Sequence, residues 1–185
     1  MLLNILEELP AGHVLHPQGF TAFNYSPEEK QIQSDLIKQR IFDGLLNYQQ
    51  KICENVEKRI VGFCAGYGAG KTRTLCAWST LCALDNPGTV GAVFAPTGAL
   101  VRDVLQRSLE EFWENHAVKF EYRASPLPEY KLNLPNGEVT ILCRSMESWQ
   151  RIIGVNLSFI ASDELDTTKP DIAQKAIEKF LGRLR

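Results

Sequence analysis

No stretch of the 185 residues is apolar for long enough to span a membrane, and the N-terminus lacks both a basic start and an unbroken apolar run. Charge of one sign is lacking too: 20 Lys+Arg against 22 Asp+Glu leave a formal net charge of -2. No global basic field therefore draws the chain to nucleic acid, and any DNA contact must come from a local patch or an assembly. Cysteine is sparse and odd in number: Cys53, Cys64, Cys76, Cys82 and Cys143, five in all, with no CxxC pair. That argues against a disulfide framework and a zinc knuckle, and predicts buried thiols in a reducing compartment. His13 and His16 share a Pro- and Gly-punctuated arm with no third ligand nearby, which argues against a metal site there. Internal repeats and low-complexity segments are absent. The expectation is a soluble, cytosolic globular protein, 44% hydrophobic and long enough for a sizeable core.

What is present alternates between two periods. Residues 1–30 read as an irregular arm, broken by Pro10, Gly12, Pro17, Gly19 and Pro27, and 31–185 read as the domain. From about Glu28 to Val56, Ile32, Leu36, Ile37, Ile41, Leu45 and Leu46 recur at helical steps and predict one helix with one buried stripe. "RIVGFC" (59–64) predicts a buried strand, Lys71–Leu84 a helix stopped by "DNPG", and "TVGAVFAP" (89–96) a second strand. Thr97 is placed to cap a helix whose inner face carries Leu100, Val101, Val104, Leu105, Leu109 and Phe112. "VKFEYRA" and "YKLNL" then read as extended segments, and "PNG" (135–137) as a hairpin turn into "EVTILCR". "LSFIAS" (157–162) is a last apolar strand, followed by a helix from about Pro170. Strands alternating with helices predict an α/β fold, a mostly parallel sheet flanked by helices, with a β-hairpin excursion before the last strand.

The stretch "CAGYGAGKT" (64–72) carries the first chemical signal. It stands between a predicted strand and a predicted helix, where loop amides and the helix N-terminus point at an anion. Gly66, Gly68 and Gly70 allow close backbone approach, Lys71 can reach β- and γ-phosphates, and the Thr72 hydroxyl can ligate Mg²⁺. The phosphate-loop pattern asks for glycine where this chain has Ala65, and Tyr67 is bulky for such a loop. A glycine turn that merely precedes Lys-Thr is the bland alternative. A dinucleotide site fits worse, because the spacing here is G-x-G-x-G and no acid follows "FAP".

The second signal is "LSFIASDEL": an apolar strand ending in Asp163 and Glu164. A triphosphate hydrolase needs such a pair, one carboxylate for the Mg²⁺ shell and one to deprotonate the attacking water. Two acids after a strand can also simply open a solvated loop, but their pairing with the glycine loop favours the chemical reading. The candidate residues are Gly66, Gly68, Ala69, Gly70, Lys71, Thr72 and Arg73 for ATP, Thr72 and Asp163 for Mg²⁺, and Lys71 and Glu164 for catalysis.

Together these segments resemble the N-terminal ATPase domain of the large terminase subunit, the DNA-packaging motor of tailed phages. The likeness extends over roughly 45–185 and includes "LPNGEVTILCRSMESWQRIIGVNLSFIASDELD" (134–166) and "VFAPTGALVRDVLQRSLEEF" (93–112). "YQQKI" (48–52) resembles that family's adenine-recognising segment and makes Gln49 the candidate base reader, with Gln50 second. The resemblance implies a P-loop NTPase fold with Walker A and Walker B motifs. It also implies ATP hydrolysis with Mg²⁺, double-stranded DNA, a portal protein and a small terminase subunit as partners, and a homo-oligomeric ring. The implied location is the host cytoplasm, at the procapsid portal. Many terminases place an arginine finger where this chain has Tyr67; Arg73, Arg144 and Arg151 are the candidate substitutes, each with an ordinary surface arginine as its plainer reading. The family continues beyond this point with a further strand and a nuclease domain, so the chain reads as the front part of such a protein. A helicase-like DNA translocase and an inactive nucleotide- or partner-binding fragment are the competing readings.

Three further groups have plainer readings. Trp78, Trp113 and Trp149 are expected to pack in the core, and His116 to follow a helix end. Lys119, Arg123, Lys131 and Arg144 are expected on a solvated hairpin face.

Overall fold

The computed structural model describes residues 25–55, 58 and 60–184, so most of the expected N-terminal arm, with His13 and His16, lies outside the described residues. Helix α1 (Pro27–Asp43) begins where local chemistry dictates. The Ser26 hydroxyl accepts the Glu29 amide, the Glu29 carboxylate accepts the Ser26 amide, and Pro27 occupies the first helical position. The single helix expected over 28–56 is in fact two. Gly44 turns its N–H back onto the carbonyls of Ile41 and Phe42, Leu46 is extended, and α2 (Asn47–Cys53) starts afresh. The Gln50 amide seals the corner by donating to the carbonyls of Phe42 and Leu45. The buried stripe is correspondingly narrower: Ile37, Ile41 and Leu45 are inside, whereas Ile32 and Leu46 are exposed.

Helix α3 (Lys71–Asp85) is buried over most of its circumference, because it lies between the sheet and α1, α2 and α5. Its interior hydroxyls find partners within the helix, Thr74 on the Gly70 carbonyl and Thr80 on that of Cys76. Asn86 and Pro87 end it, the Asn86 amide donating to the Cys82 carbonyl at 2.8 Å. Strand β1 (Val90–Ala95) leads to Thr97, whose hydroxyl accepts the Leu100 amide at the start of α4 (Gly98–Leu100). A π-helical turn over Val101–Gln106 then joins α4 to α5 (Arg107–Asn115). This wider turn shifts the register. Val104, expected inside, is exposed, and Gln106 is buried, its amide donating to the Tyr130 hydroxyl.

Strands β2 (Lys119–Arg123), β3 (Glu129–Leu134), β4 (Gly137–Ser145) and β5 (Phe159–Ser162) complete a single sheet ordered β2-β3-β4-β1-β5. β1 is central and parallel to both β4 and β5, while β2, β3 and β4 are antiparallel. The hairpin excursion is therefore an extension of the sheet. Side chains alternate between two cores. Val93, Ala95, Ile141 and Cys143 face α3 and α5, and Ala92, Phe94 and Leu142 face α6 (Pro170–Leu181) and the 3-10 segment Met146–Ile152. The Phe94 ring is fully buried 4.5 Å from that of Phe180, and truncating it to alanine would cost about 3–5 kcal/mol. At the β1–β5 junction the Phe159 ring lies over Gly91, so close that a Cβ there would fall 2.2 Å from it. That contact docks β5 on the central strand.

One expected strand does not form. Residues 60–66 pair with no strand among the described residues; Ile60 is exposed, and so is Cys64, alone among the five thiols. β4 and β5 occupy both edges of β1, and β5 is itself an edge strand, with a single bridge joining Leu157 to Leu184. The run carries the residues of a buried strand without the partner that would bury it. Among the described residues, no helix is long and apolar enough to cross a membrane.

Candidate functional site

The site lies where the irregular run 60–66 turns into α3. Gly68 and Gly70 bend the loop with φ of 73° and 70°, and Gly70 is the N-cap residue of α3. The first-turn amides of a 15-residue helix thus open onto the loop without carbonyl partners inside the helix. The Lys71 ammonium folds into the same opening and donates to the carbonyls of Ala65 at 3.0 Å and Gly66 at 3.1 Å. Cationic and N–H donors converge there, as an anion site requires.

From the opposite side comes the tip of β5. Asp163 is buried, its N–H bonded to the Phe94 carbonyl at the end of β1. One of its carboxylate oxygens accepts the Thr72 hydroxyl at 2.6 Å, the other the Glu164 amide at 3.1 Å. Residues 91 apart in sequence therefore meet, and Lys71 and Asp163 share one side of the sheet. An alcohol and a carboxylate are the hard oxygen donors that Mg²⁺ prefers, so these residues fit that ion. Glu164 is exposed and adopts φ 46°, ψ 41°, a left-handed conformation that costs a non-glycine residue about 1–3 kcal/mol. Two donors on its carbonyl, the Thr167 amide and hydroxyl, hold it there.

Gln49 lies against the loop. Its side chain is buried, accepts the Leu46 amide at 2.9 Å and donates to the carbonyls of Ala69 and Gly70, both at 3.4 Å. Tyr48, which the sequence pattern did not single out, donates its hydroxyl to the same Ala69 carbonyl at 3.1 Å. Its signal was adjacency to Gln49 and nothing more. The structure separates Arg73 from the loop: its guanidinium donates to the Gly44 carbonyl at 3.0 Å and lies over the Phe112 ring. Tyr67 is fully exposed at the loop tip, and Arg151 is exposed as well. Arg144, expected on a solvated face, is buried, donating to the carbonyls of Pro128 and Cys143, and burial holds its pKa below the usual arginine value. Two of the remaining hairpin cations pair locally, Arg123 with Glu129 and Lys131 with Glu138. Trp113 is packed as expected, its indole donating to Thr80, and His116 follows α5.

This geometry has counterparts. The DEAD/DEAH box helicase model matches residues 46–185. The chain belongs to that family. The helicase-family span takes in every candidate residue from Gln49 to Glu164. No curated protein matches the chain. Among solved structures, the large terminase ATPase domain of Thermus phage P74-26 is similar at a TM-score of 0.59 and 18% identity, over 81% of this chain and 65% of that one. The large terminase of a second thermophilic bacteriophage is similar at 0.61 and 15% identity, over 72% of this chain and 35% of that one. The same terminase in complex with ADP matches at 0.59 and 17%, over 73% and 35%. At these identities the likeness is one of fold, that of a P-loop ATPase. The chain spans 65% of the first neighbour and about a third of the other two.

Proposed function

We propose that this chain is the ATPase core of a viral DNA-packaging motor, hydrolysing ATP to drive double-stranded DNA into a procapsid. The observation that carries the hydrolase reading is the 2.6 Å contact between Thr72 and Asp163, which ties the glycine loop to the acidic strand tip. Gly66, Gly68, Ala69 and Gly70 supply the loop backbone, and Lys71, released from its own loop carbonyls, binds the β- and γ-phosphates. Thr72 and Asp163 hold Mg²⁺, which when bound neutralises charge developing on the phosphates. Glu164 accepts a proton from water as the water oxygen bonds to the γ-phosphorus; the bond from that phosphorus to the bridging oxygen breaks, and ADP leaves with the electron pair.

The packaging role is supported by phage terminase ATPase domains sharing the fold. Double-stranded DNA, a portal protein, a small terminase subunit and a ring of identical copies in the host cytoplasm are the partners and setting this reading carries. A helicase-like translocase is the second reading, favoured by the family match itself.

The test has two arms. Mg²⁺-dependent ATP binding should be present in the chain and unchanged in Glu164→Gln, whereas turnover in that variant should fall about 10²–10⁴-fold. Turnover that survives the substitution refutes the assignment of Glu164. Stimulation by blunt duplex favours packaging, and unwinding of a forked duplex favours the helicase reading.

A further inference from the structure

We infer that Thr167 is a positioning residue for the proposed general base: it clamps the backbone of Glu164 in the left-handed conformation that aims its carboxylate. The inference rests on the hydrolase reading above and adds a residue to it. A residue leading into a helical turn is ordinarily extended. Glu164 instead leads into the 3-10 turn Leu165–Thr167 at φ 46°, ψ 41°, a strained choice for a residue that carries a side chain. Such a conformation persists only where the surrounding structure over-determines it.

Here it is held from both sides. The peptide entering Glu164 is fixed through its N–H, which donates to an Asp163 carboxylate oxygen at 3.1 Å. Asp163 is itself fastened to the central strand, its N–H on the Phe94 carbonyl at 2.9 Å. The peptide leaving Glu164 is fixed through its carbonyl, which accepts the Thr167 hydroxyl at 2.9 Å and the Thr167 amide at 3.0 Å. Since φ and ψ are the only soft backbone dihedrals, fixing both planes fixes the direction in which Cβ leaves the chain. Nothing else directs this side chain: the Glu164 carboxylate is exposed and has no hydrogen-bond or ion-pair partner among the described residues. An ordinary conformation at 164 would send the same carboxylate off the strand tip in another direction. Any residue but proline would supply the amide at 167; the hydroxyl is what threonine adds. That position is exposed, so the hydroxyl is not there to satisfy a buried group.

Steady-state ATPase assays on the full chain with Mg²⁺, beside titration calorimetry with ATP, separate positioning from mere support of the turn. Thr167→Val keeps the shape and the β-branch and loses only the hydroxyl, at an exposed position where folding is not at stake. It should lower kcat about three- to tenfold and leave KM and ATP affinity within about twofold of wild type. Thr167→Ser, which restores the donor, should recover kcat to within about twofold. Because the clamp acts through Glu164, adding Thr167→Val to Glu164→Gln should slow single turnover by less than about twofold. Unchanged kcat in Thr167→Val overturns the inference, and so does a loss that serine fails to recover or one of equal size in both backgrounds. Amide hydrogen exchange without nucleotide gives a readout free of turnover. The Glu164 and Thr167 amides should exchange faster in Thr167→Val and not in Thr167→Ser, and unaltered exchange overturns the clamp. A wild-type chain that binds ATP and never hydrolyses it fails differently: it retires the hydrolase reading, and the clamp loses its catalytic task whatever the exchange shows.

Discussion

The two halves of the glycine loop are built differently. Its C-terminal half, Ala69–Thr72, is fixed from three elements: α2 through Tyr48 and Gln49, α3 through its own first turn, and β5 through Asp163. Its N-terminal half, 60–66, has no strand partner among the described residues and is tied back by the Lys71 ammonium on two carbonyls. One half is a preformed frame for phosphate oxygens; the other is held by the cation that phosphate would claim. Binding a triphosphate should thus cost the frame little and free the other half, because ammonium bonded to phosphate no longer holds Ala65 and Gly66.

The comparison breaks most visibly at Lys71. Lys71→Ala should lower triphosphate affinity by about a hundredfold or more, since charge-assisted contacts with phosphate are lost. In the absence of nucleotide the same substitution should speed amide exchange in 60–66 and leave α3 beyond its first turn unaffected. Faster exchange throughout α3 would mean that the halves are not separate.

Three glycine substitutions grade the contrast by stability, read as shifts of the urea midpoint. Gly70→Ala meets both a left-handed φ and the Gln49 amide, and should cost more than the strain of about 1–2 kcal/mol alone. Gly68→Ala meets the φ of 73° with open space around its Cβ, and should cost about that strain. Gly66→Ala meets neither, and should stay within about 0.5 kcal/mol of wild type. A reversed order would show that the N-terminal half is the more tightly specified.

The same division explains what was legible in the sequence. Local chemistry announced itself: the Gly-Lys-Thr start of α3, the Asn-Pro stop, the "PNG" turn and the Asp-Glu tip of β5 all lie where residue pattern places them. The unpaired run 60–66, in which only alternate residues are exposed, reads as a buried strand because apolar composition says that a segment can be buried and nothing about whether a partner strand lies alongside. Helical spacing across Gly44 suggests one helix, and the Gln50 and Arg73 contacts that fix the corner follow no helical period. The π-helical turn defeats a 3.6-residue period outright, moving Val104 out and Gln106 in. Arg144 lies in a strand whose alternation was read as solvent-facing, yet its face is covered by the second core. As for the site, the sequence pairs Thr72 with Asp163 and the structure puts the two in contact at 2.6 Å, whereas the side-chain contacts from α2 depend on a packing no periodicity encodes.

The smallest effect tests whether acid loosens the fixed half selectively. His116 is buried at the end of α5, its Nδ1 bonded to the Phe112 carbonyl and its ring stacked on Phe112. Burial, and then the guanidinium groups of Arg73 from α3 and Arg40 from α1, keep its pKa below the ordinary value of 6.5. The sign follows from linkage: below pH 6.5 the unfolded chain takes up a proton that the folded chain resists, so the stabilisation is whole above 6.5 and lost as pH falls toward the folded pKa. Gly44, whose carbonyl Arg73 grips, lies beside this ring, a Cβ there falling 3.5 Å from His116 Nε2, so a proton on His116 pushes at the α1–α2 corner that carries Tyr48 and Gln49. Wild type should lose urea resistance as pH falls below 6.5 more steeply than His116→Gln, and exchange should rise first around 44–49 while 60–66 stays as it was. Equal slopes would place the acid sensitivity elsewhere, and a rise confined to 60–66 would put the weak joint on the unpaired side.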